Sequence, residues 1–332
     1  RDFVMGTPSN DFDFVTNASY EQCDSLFTPN FHLHAVGETF FGGVEMPNEY
    51  IDLAKYSAVP GVYYGHTPLP ADRTPSLITD SFERDMPFNA LYFDPYTEEI
   101  LDFHGGIRSI YDREIKSMVN PDIQMKTDVN SIVRSIRFAA RYEYSIDKEL
   151  DKVLRTHGME YLKNYPKNIF ISNLTKLFNS GYAQRCGKLL TEYGFWPFVV
   201  PSLTHSQQAE QYQRYLIEQM AVFDKEVNWK TIDNSKAYVW ATLLKPRYTE
   251  LSASLSAEAA LAKVLEEQET TAELSDSLKD EIAKIINIGL SCPGVRILKA
   301  SFWAVFVISK EIRRKAITYS SHISFMAIAN TI

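Results

Sequence analysis

The chain has 332 residues, 45% of them hydrophobic, enough to bury two or three cores, and this composition excludes an intrinsically disordered protein. No stretch approaches the roughly 20 uninterrupted apolar residues of a membrane span; the best, Ala300–Ser309, gives way to Lys310, Arg313, Arg314 and Lys315. The net charge of −8 is unevenly spread: residues 1–100 carry four basic against sixteen acidic side chains, whereas residues 289–332 carry six basic and one acidic. The first hundred residues are therefore a poor platform for a phosphate backbone and the last forty-odd a better one. Three cysteines, Cys23, Cys186 and Cys292, are odd in number and far apart, which argues against a disulfide framework or a Cys-based zinc site. They favour a reducing compartment, cytoplasm or organellar matrix.

In chain order, the first informative segment is Asn10–Ala18. Side chains two apart on a strand share a face, so Asp11 and Asp13 aim two carboxylates at one hard cation, the arrangement that metal-assisted phosphoryl transfer uses. Two polar residues flanking Phe12 also describe any half-solvated strand. Tyr20–Leu26 reads as a helix with Ser19 as N-cap and Glu21 in its first turn. His32–Val36, Thr39–Val44 and Tyr50–Ala54 alternate in the β manner and complete a small mixed sheet. Val59–Thr79, with Pro60, Gly61, Gly65, Pro68, Pro70 and Pro75, predicts a long loop. From Asp128 the pattern turns helical: Ile132, Val133, Ile136 and Ala140 recur at helical spacing, and Ser256–Leu290 reads as two helices broken near Ser275. The predicted fold class is an α/β head over 1–115 followed by an all-α region, divided at 116–200 and 201–288, with a basic and apolar extension over 289–332.

Four blocks in this order resemble one family, the class II tRNA nucleotidyltransferases and, more closely, their bacterial-type poly(A) polymerase branch. Arg1–Gly6 followed by Asp11-Phe12-Asp13 is similar to the second half of the family's first motif. Glu83-Arg84-Asp85 through Asn89-Ala90-Leu91-Tyr92 resembles its Arg-Arg-Asp block. Gly105-Gly106 with Asp128 through Arg141 resembles the helical neck, and Leu177–Tyr182 with Leu189–Pro197 resembles a body segment of the poly(A) branch. The resemblance implies a nucleotidyltransferase-type head, a neck over 116–200 that binds nucleotide or RNA, and a helical body over 201–288. It makes Asp11 and Asp13 metal carboxylates, with Asp52 the third catalytic acid. It makes Arg84, Asp85, Asn89, Asp128, Arg134 and Arg137 the nucleotide-binding set. It also implies Mg²⁺ as cofactor and ATP or CTP as substrate, with phosphoryl transfer assisted by cations at the α-phosphate.

The departures matter as much. Where the family carries arginines, this chain has Glu38, Glu83 and Ser131, and Lys55-Tyr56-Ser57 follows the third acid in place of a Thr-Phe-Arg run. Two unit charges 4 Å apart interact by about 4 kcal/mol at an effective dielectric near 20, so exchanging attraction for repulsion at two such sites costs about 10³-fold or more in binding or rate. Two readings follow. The first is an RNA-associated protein with impaired catalysis, a structural component of a ribonucleoprotein such as an organellar ribosome, with residues 289–332 docking RNA or a protein partner and no membrane contact. The second is an active Mg²⁺-dependent, template-independent enzyme adding AMP or CCA to RNA 3′ ends. Asp13 serving only to order a turn, and Arg84 pairing with a neighbouring Asp85 or Glu83, are the corresponding structural expectations.

Overall fold

The computed structural model describes residues 1–7, 13–36, 40–46, 49–55, 77–82, 84–227, 229 and 235–290, and these divide into two compact units, one ending at Asn164 and the other beginning at Tyr165. The division falls inside the stretch 116–200.

The first unit opens on a four-stranded sheet built from β1 (Asp13–Thr16), β2 (Phe31–Val36), β3 (Phe40–Met46) and β4 (Glu49–Lys55), with α1 (Tyr20–Phe27) between β1 and β2. The spatial order is β1-β4-β3-β2; β1 runs parallel to β4 and the other pairs are antiparallel. Helix α1 starts where its capping residues dictate: the Ser19 hydroxyl accepts from the Gln22 backbone N–H, and the Gln22 side chain accepts from the Ser19 N–H in return. Its buried Cys23 packs with Val44 of β3 and Leu53 of β4. Because successive strand residues face opposite sides, Asp52 projects away from the face that Leu53 gives to this cluster.

Beyond the sheet come a short helix α2 (Leu77–Ser81), a 3₁₀ turn at Pro87–Asn89, the hairpin β5 (Leu91–Asp94) and β6 (Glu99–Asp102), and α3 (Gly106–Asp112). The loop expected to reach Thr79 is helical from Leu77, and Thr79, Asp80 and Ser81 are buried there; its earlier part lies outside the described residues. Asp102 terminates β6 and caps α3, its carboxylate accepting from the backbone N–H groups of Gly106 at 2.8 Å and Ile107 at 3.0 Å. Strand β7 (Glu114–Ile115) pairs in parallel with β8 (Ser145–Ile146), bracketing α4 (Pro121–Thr127) and α5 (Asn130–Tyr142); α6 (Lys148–Leu162) completes the unit. Helix α5 buries Ile132, Val133, Ile136, Phe138, Ala139 and Ala140 and keeps Arg134 and Arg137 on its outer face, as its spacing requires.

The second unit is helical: α7 (Lys167–Phe178), α8 (Ala183–Glu192), α9 (Trp196–Val199), a 3₁₀ turn at Pro201–His205, α10 (Ala209–Glu226), α11 (Ser235–Leu251), α12 (Ala257–Gln268) and α13 (Asp276–Leu290). The gap between α12 and α13 spans the break expected near Ser275. Phe170, Phe198 and Trp240 form the aromatic centre, and the buried Trp240 indole donates to Thr175 Oγ1 at 2.9 Å. Helices α11 and α12 are joined by a bidentate pair: Arg247 Nη2 lies 2.9 Å and Nε 3.1 Å from the two oxygens of Glu267, whose side chain is 6% exposed. Glu267→Gln keeps the shape but removes the charge, and we expect it to lower unfolding free energy by about 2 kcal/mol, measured by urea titration. A change under about 0.5 kcal/mol would show that the pair only balances its desolvation. Among the described residues, no helix is long and apolar enough to cross a membrane.

Candidate nucleotide site

Two groups of the expected residues come together in the first unit. On the sheet, Asp13 of β1 and Asp52 of β4 are direct register partners, so their carboxylates project from the same face of adjacent parallel strands about 4.8 Å apart. Asp52's other neighbour is Gly43 of β3, which has no side chain to cover it. Asp13 is exposed and Asp52 half-buried. Two hard oxygen donors on one rigid face suit Mg²⁺ by chemistry. Asp11, the remaining member of the expected set, lies outside the described residues, and no cluster of three acidic, His or Cys ligands occurs among the described ones.

The second group centres on Asp85, buried at the end of the turn leading into the 3₁₀ segment. Asn89 donates from Nδ2 to Asp85 Oδ1 at 2.9 Å, closing a turn of motif residues on themselves. From α5, Arg134 Nε lies 2.6 Å from Asp85 Oδ2, an ion pair in which the N–H is not aligned for a hydrogen bond. The buried Gln124 amide donates to the Asp85 backbone carbonyl at 2.6 Å, while its oxygen accepts from the Met118 N–H at 2.8 Å. Arg1 extends the chain of contacts, with Nη1 donating to Asn89 Oδ1 at 2.8 Å and the guanidinium 5.6 Å from the Tyr142 ring centre. Burial works most strongly against the charge on Arg1, but the hydrogen bond to Asp2 and the nearby Tyr142, Asp2 and Asp85 together outweigh it and raise its pKa.

Arg84 lies elsewhere. Its Nη2 pairs with Asp80 at 2.8 Å, four residues earlier, and not with Asp85; Glu83, the other expected partner, lies outside the described residues. The Tyr92 hydroxyl donates to the same Asp80 oxygen at 2.8 Å, and its ring lies 5.8 Å from the Arg84 guanidinium. Burial opposes the Arg84 charge most strongly, yet Asp80 and Tyr92 together hold its pKa above the ordinary value; burial together with Asp80 pushes the Tyr92 phenol up. Asp80 and Gln124 were missed in the sequence. The i,i+4 spacing of Asp80 and Arg84 was the available signal for the first; nothing local pointed to the second.

Asp128 caps the start of α5, accepting from the Asn130 N–H at 3.2 Å and the Ser131 hydroxyl at 2.5 Å. Ser131 is fully buried. Arg137 lies with its guanidinium 4.9 Å from the Phe138 ring centre. Glu38 and Glu83 fall outside the described residues.

A mixed sheet bearing paired acids, followed by helices that reach back to the buried Asp85, is the head arrangement the sequence resemblance implies, with a largely helical remainder. The comparisons agree with that resemblance. Residues 1–116 match the poly A polymerase head domain. Poly(A) polymerase I of Escherichia coli O6:H1 is 27% identical over 239 residues, 66% of this chain and 49% of that protein. Poly(A) polymerase I of Haemophilus influenzae is 25% identical over 214 residues, 61% of this chain and 47% of that protein. The chain thus spans about half the length of these curated relatives. A crystal structure of a tRNA nucleotidyltransferase complexed with a primer tRNA and an incoming ATP analog superimposes with a TM-score of 0.60 at 18% identity, covering 96% of this chain and 91% of that one. The chain is a relative of the class II tRNA nucleotidyltransferases and poly(A) polymerases, and carries their fold.

Proposed function

We propose that this chain is an RNA-associated protein of the class II nucleotidyltransferase fold in which nucleotide addition is impaired, acting as an RNA- or protein-binding component of a ribonucleoprotein. The observation that carries this reading is Ser131. It is fully buried with its hydroxyl committed to Asp128, so position 131 offers no side-chain donor to a base edge. By the family resemblance, an arginine would occupy that place. The acid excess of residues 1–100 compounds the loss by repelling a triphosphate. Asp85 and Arg134 neutralise each other, and Arg84 is already neutralised by Asp80.

The register pairing of Asp13 with Asp52 favours a second reading, an active enzyme adding AMP or CCA to RNA 3′ ends. Mg²⁺ bound there would polarise the α-phosphate and the attacking 3′-hydroxyl. Asp13 and Asp52 would hold it, while Asn89 and Arg134 would orient the nucleotide. The deciding experiment is elongation of a labelled RNA primer with ATP or CTP and Mg²⁺. We expect retention of primer on the protein with elongation at least about 10³-fold slower than by a poly(A) polymerase assayed alongside. Robust elongation that Asp13→Ala abolishes would overturn the first reading and establish the second.

A further inference from the structure

We propose that the corner formed by Arg113 and Tyr144 is a stacking platform for single-stranded RNA, continuing the arginine stripe of α5. This rests on the RNA-associated reading above and names where the strand would lie. Arg137 and Arg141 follow one another at helical spacing along α5, with guanidinium groups 4.9 and 5.1 Å from the ring centres of Phe138 and Tyr142. At the helix end the series continues. Tyr142 and Tyr144 lie with ring centres 5.7 Å apart, and the exposed Arg113 guanidinium sits 5.8 Å from the Tyr144 ring centre.

Two independent features single out Arg113. Its backbone is left-handed, with φ of 56°, at the C-cap of α3, a position where glycine is the favoured residue and a side chain adds strain. The acids on either side are already engaged, Asp112 with Arg108 at 2.7 Å and Glu114 with Lys116 at 2.9 Å, and among the described residues no carboxylate pairs with the Arg113 guanidinium. Glu143 holds the matching left-handed position at the end of α5, so both chain reversals that bring Arg113 against Tyr144 are carried by charged residues where glycine would fold more easily. A guanidinium backed by a phenol ring presents a flat cationic face. A base stacks on it and a phosphate pairs with its edge.

The test uses the full chain and a fluorescein-labelled twelve-nucleotide oligoadenylate, read by anisotropy across a salt series. Arg113→Gly should leave thermal stability unchanged or raised, because it relieves the left-handed strain. It should also raise Kd about 5- to 50-fold and lower the steepness of the salt dependence by about 0.7. Tyr144→Ala should weaken binding comparably, and Arg113→Lys should keep the salt dependence while recovering little of the affinity, having charge but no plane. Wild-type binding with Arg113→Gly and Tyr144→Ala both within twofold would overturn the platform and leave the RNA-associated reading standing. Failure of the wild-type chain to bind any single strand would overturn both.

Discussion

Gly106→Ala is expected to lower the unfolding free energy by about 3 kcal/mol or more, although alanine is normally the better helix former. A Cβ at this position would stand 2.3 Å from the Pro87 carbonyl oxygen, 2.8 Å from its carbon and 2.9 Å from Leu91 Cδ2. Two of these are backbone atoms that no rotamer change can move aside. The segment that would have to give is the 3₁₀ turn joining Asp85 to Asn89, between the fully buried side chains of Met86 and Phe88. A displacement there pulls Asn89 from Asp85, so the cost reaches the candidate site. Gly105→Ala provides the internal control. Its φ is 73° and nothing lies within 4 Å of the point a Cβ would occupy, so only backbone strain of about 1 kcal/mol is at stake. Urea unfolding of the two variants checks the ranking; an equal or reversed order would mean that α3 is not seated against the Pro87 turn.

Asp85→Ala is the second large effect, expected at about 3 kcal/mol. The low end of the range for breaking a buried ion pair applies because the Arg134 side chain is 37% exposed and water can take over part of its solvation. The substitution strips Arg134 of its counter-charge and Asn89 Nδ2 of its acceptor, while the Gln124 contact to the backbone carbonyl of residue 85 survives. Asp85→Asn should fall between, since it keeps an acceptor without the charge. A cycle combining Asp85→Ala with Arg134→Ala should return a coupling of about 1–3 kcal/mol. Additive losses would show that the 2.6 Å approach contributes nothing to stability. Asp13→Ala supplies the contrast: Asp13 is exposed and beside another carboxylate, and we expect its loss to change unfolding free energy by less than about 1 kcal/mol, checked by the same urea titration.

The two units also separate what each clamp reports. Asp85, Gly106 and Arg134 belong to the unit ending at Asn164, and the Arg247–Glu267 pair belongs to the helical unit beginning at Tyr165. Probes placed in each unit will show whether a loss in one is felt in the other.

Much of this molecule was legible from local pattern. Alternation over 32–36, 39–44 and 50–54 marked strands that run 31–36, 40–46 and 49–55, because a sheet residue sees one of two sides, and the 3.6-residue recurrence of Ile132, Val133, Ile136 and Ala140 marks the buried face of α5. Ser19 marks the start of α1 because only a short polar side chain reaches the unpaired N–H groups of a first turn. The kinship of the Asp13, Asp85 and Arg134 blocks was likewise carried by residue order. Tertiary structure alone decided which partners those residues take. Arg84 pairs with the buried Asp80, four residues back, and not with its chain neighbour Asp85. Gln124 lies 39 residues from the carbonyl it binds, and Gly106 is needed because a turn from 19 residues earlier packs on its Cα. Periodicity records which way a side chain faces. The partner of an ionised group, and the room left beside a glycine, depend on distances between segments far apart in the chain, which no local pattern contains.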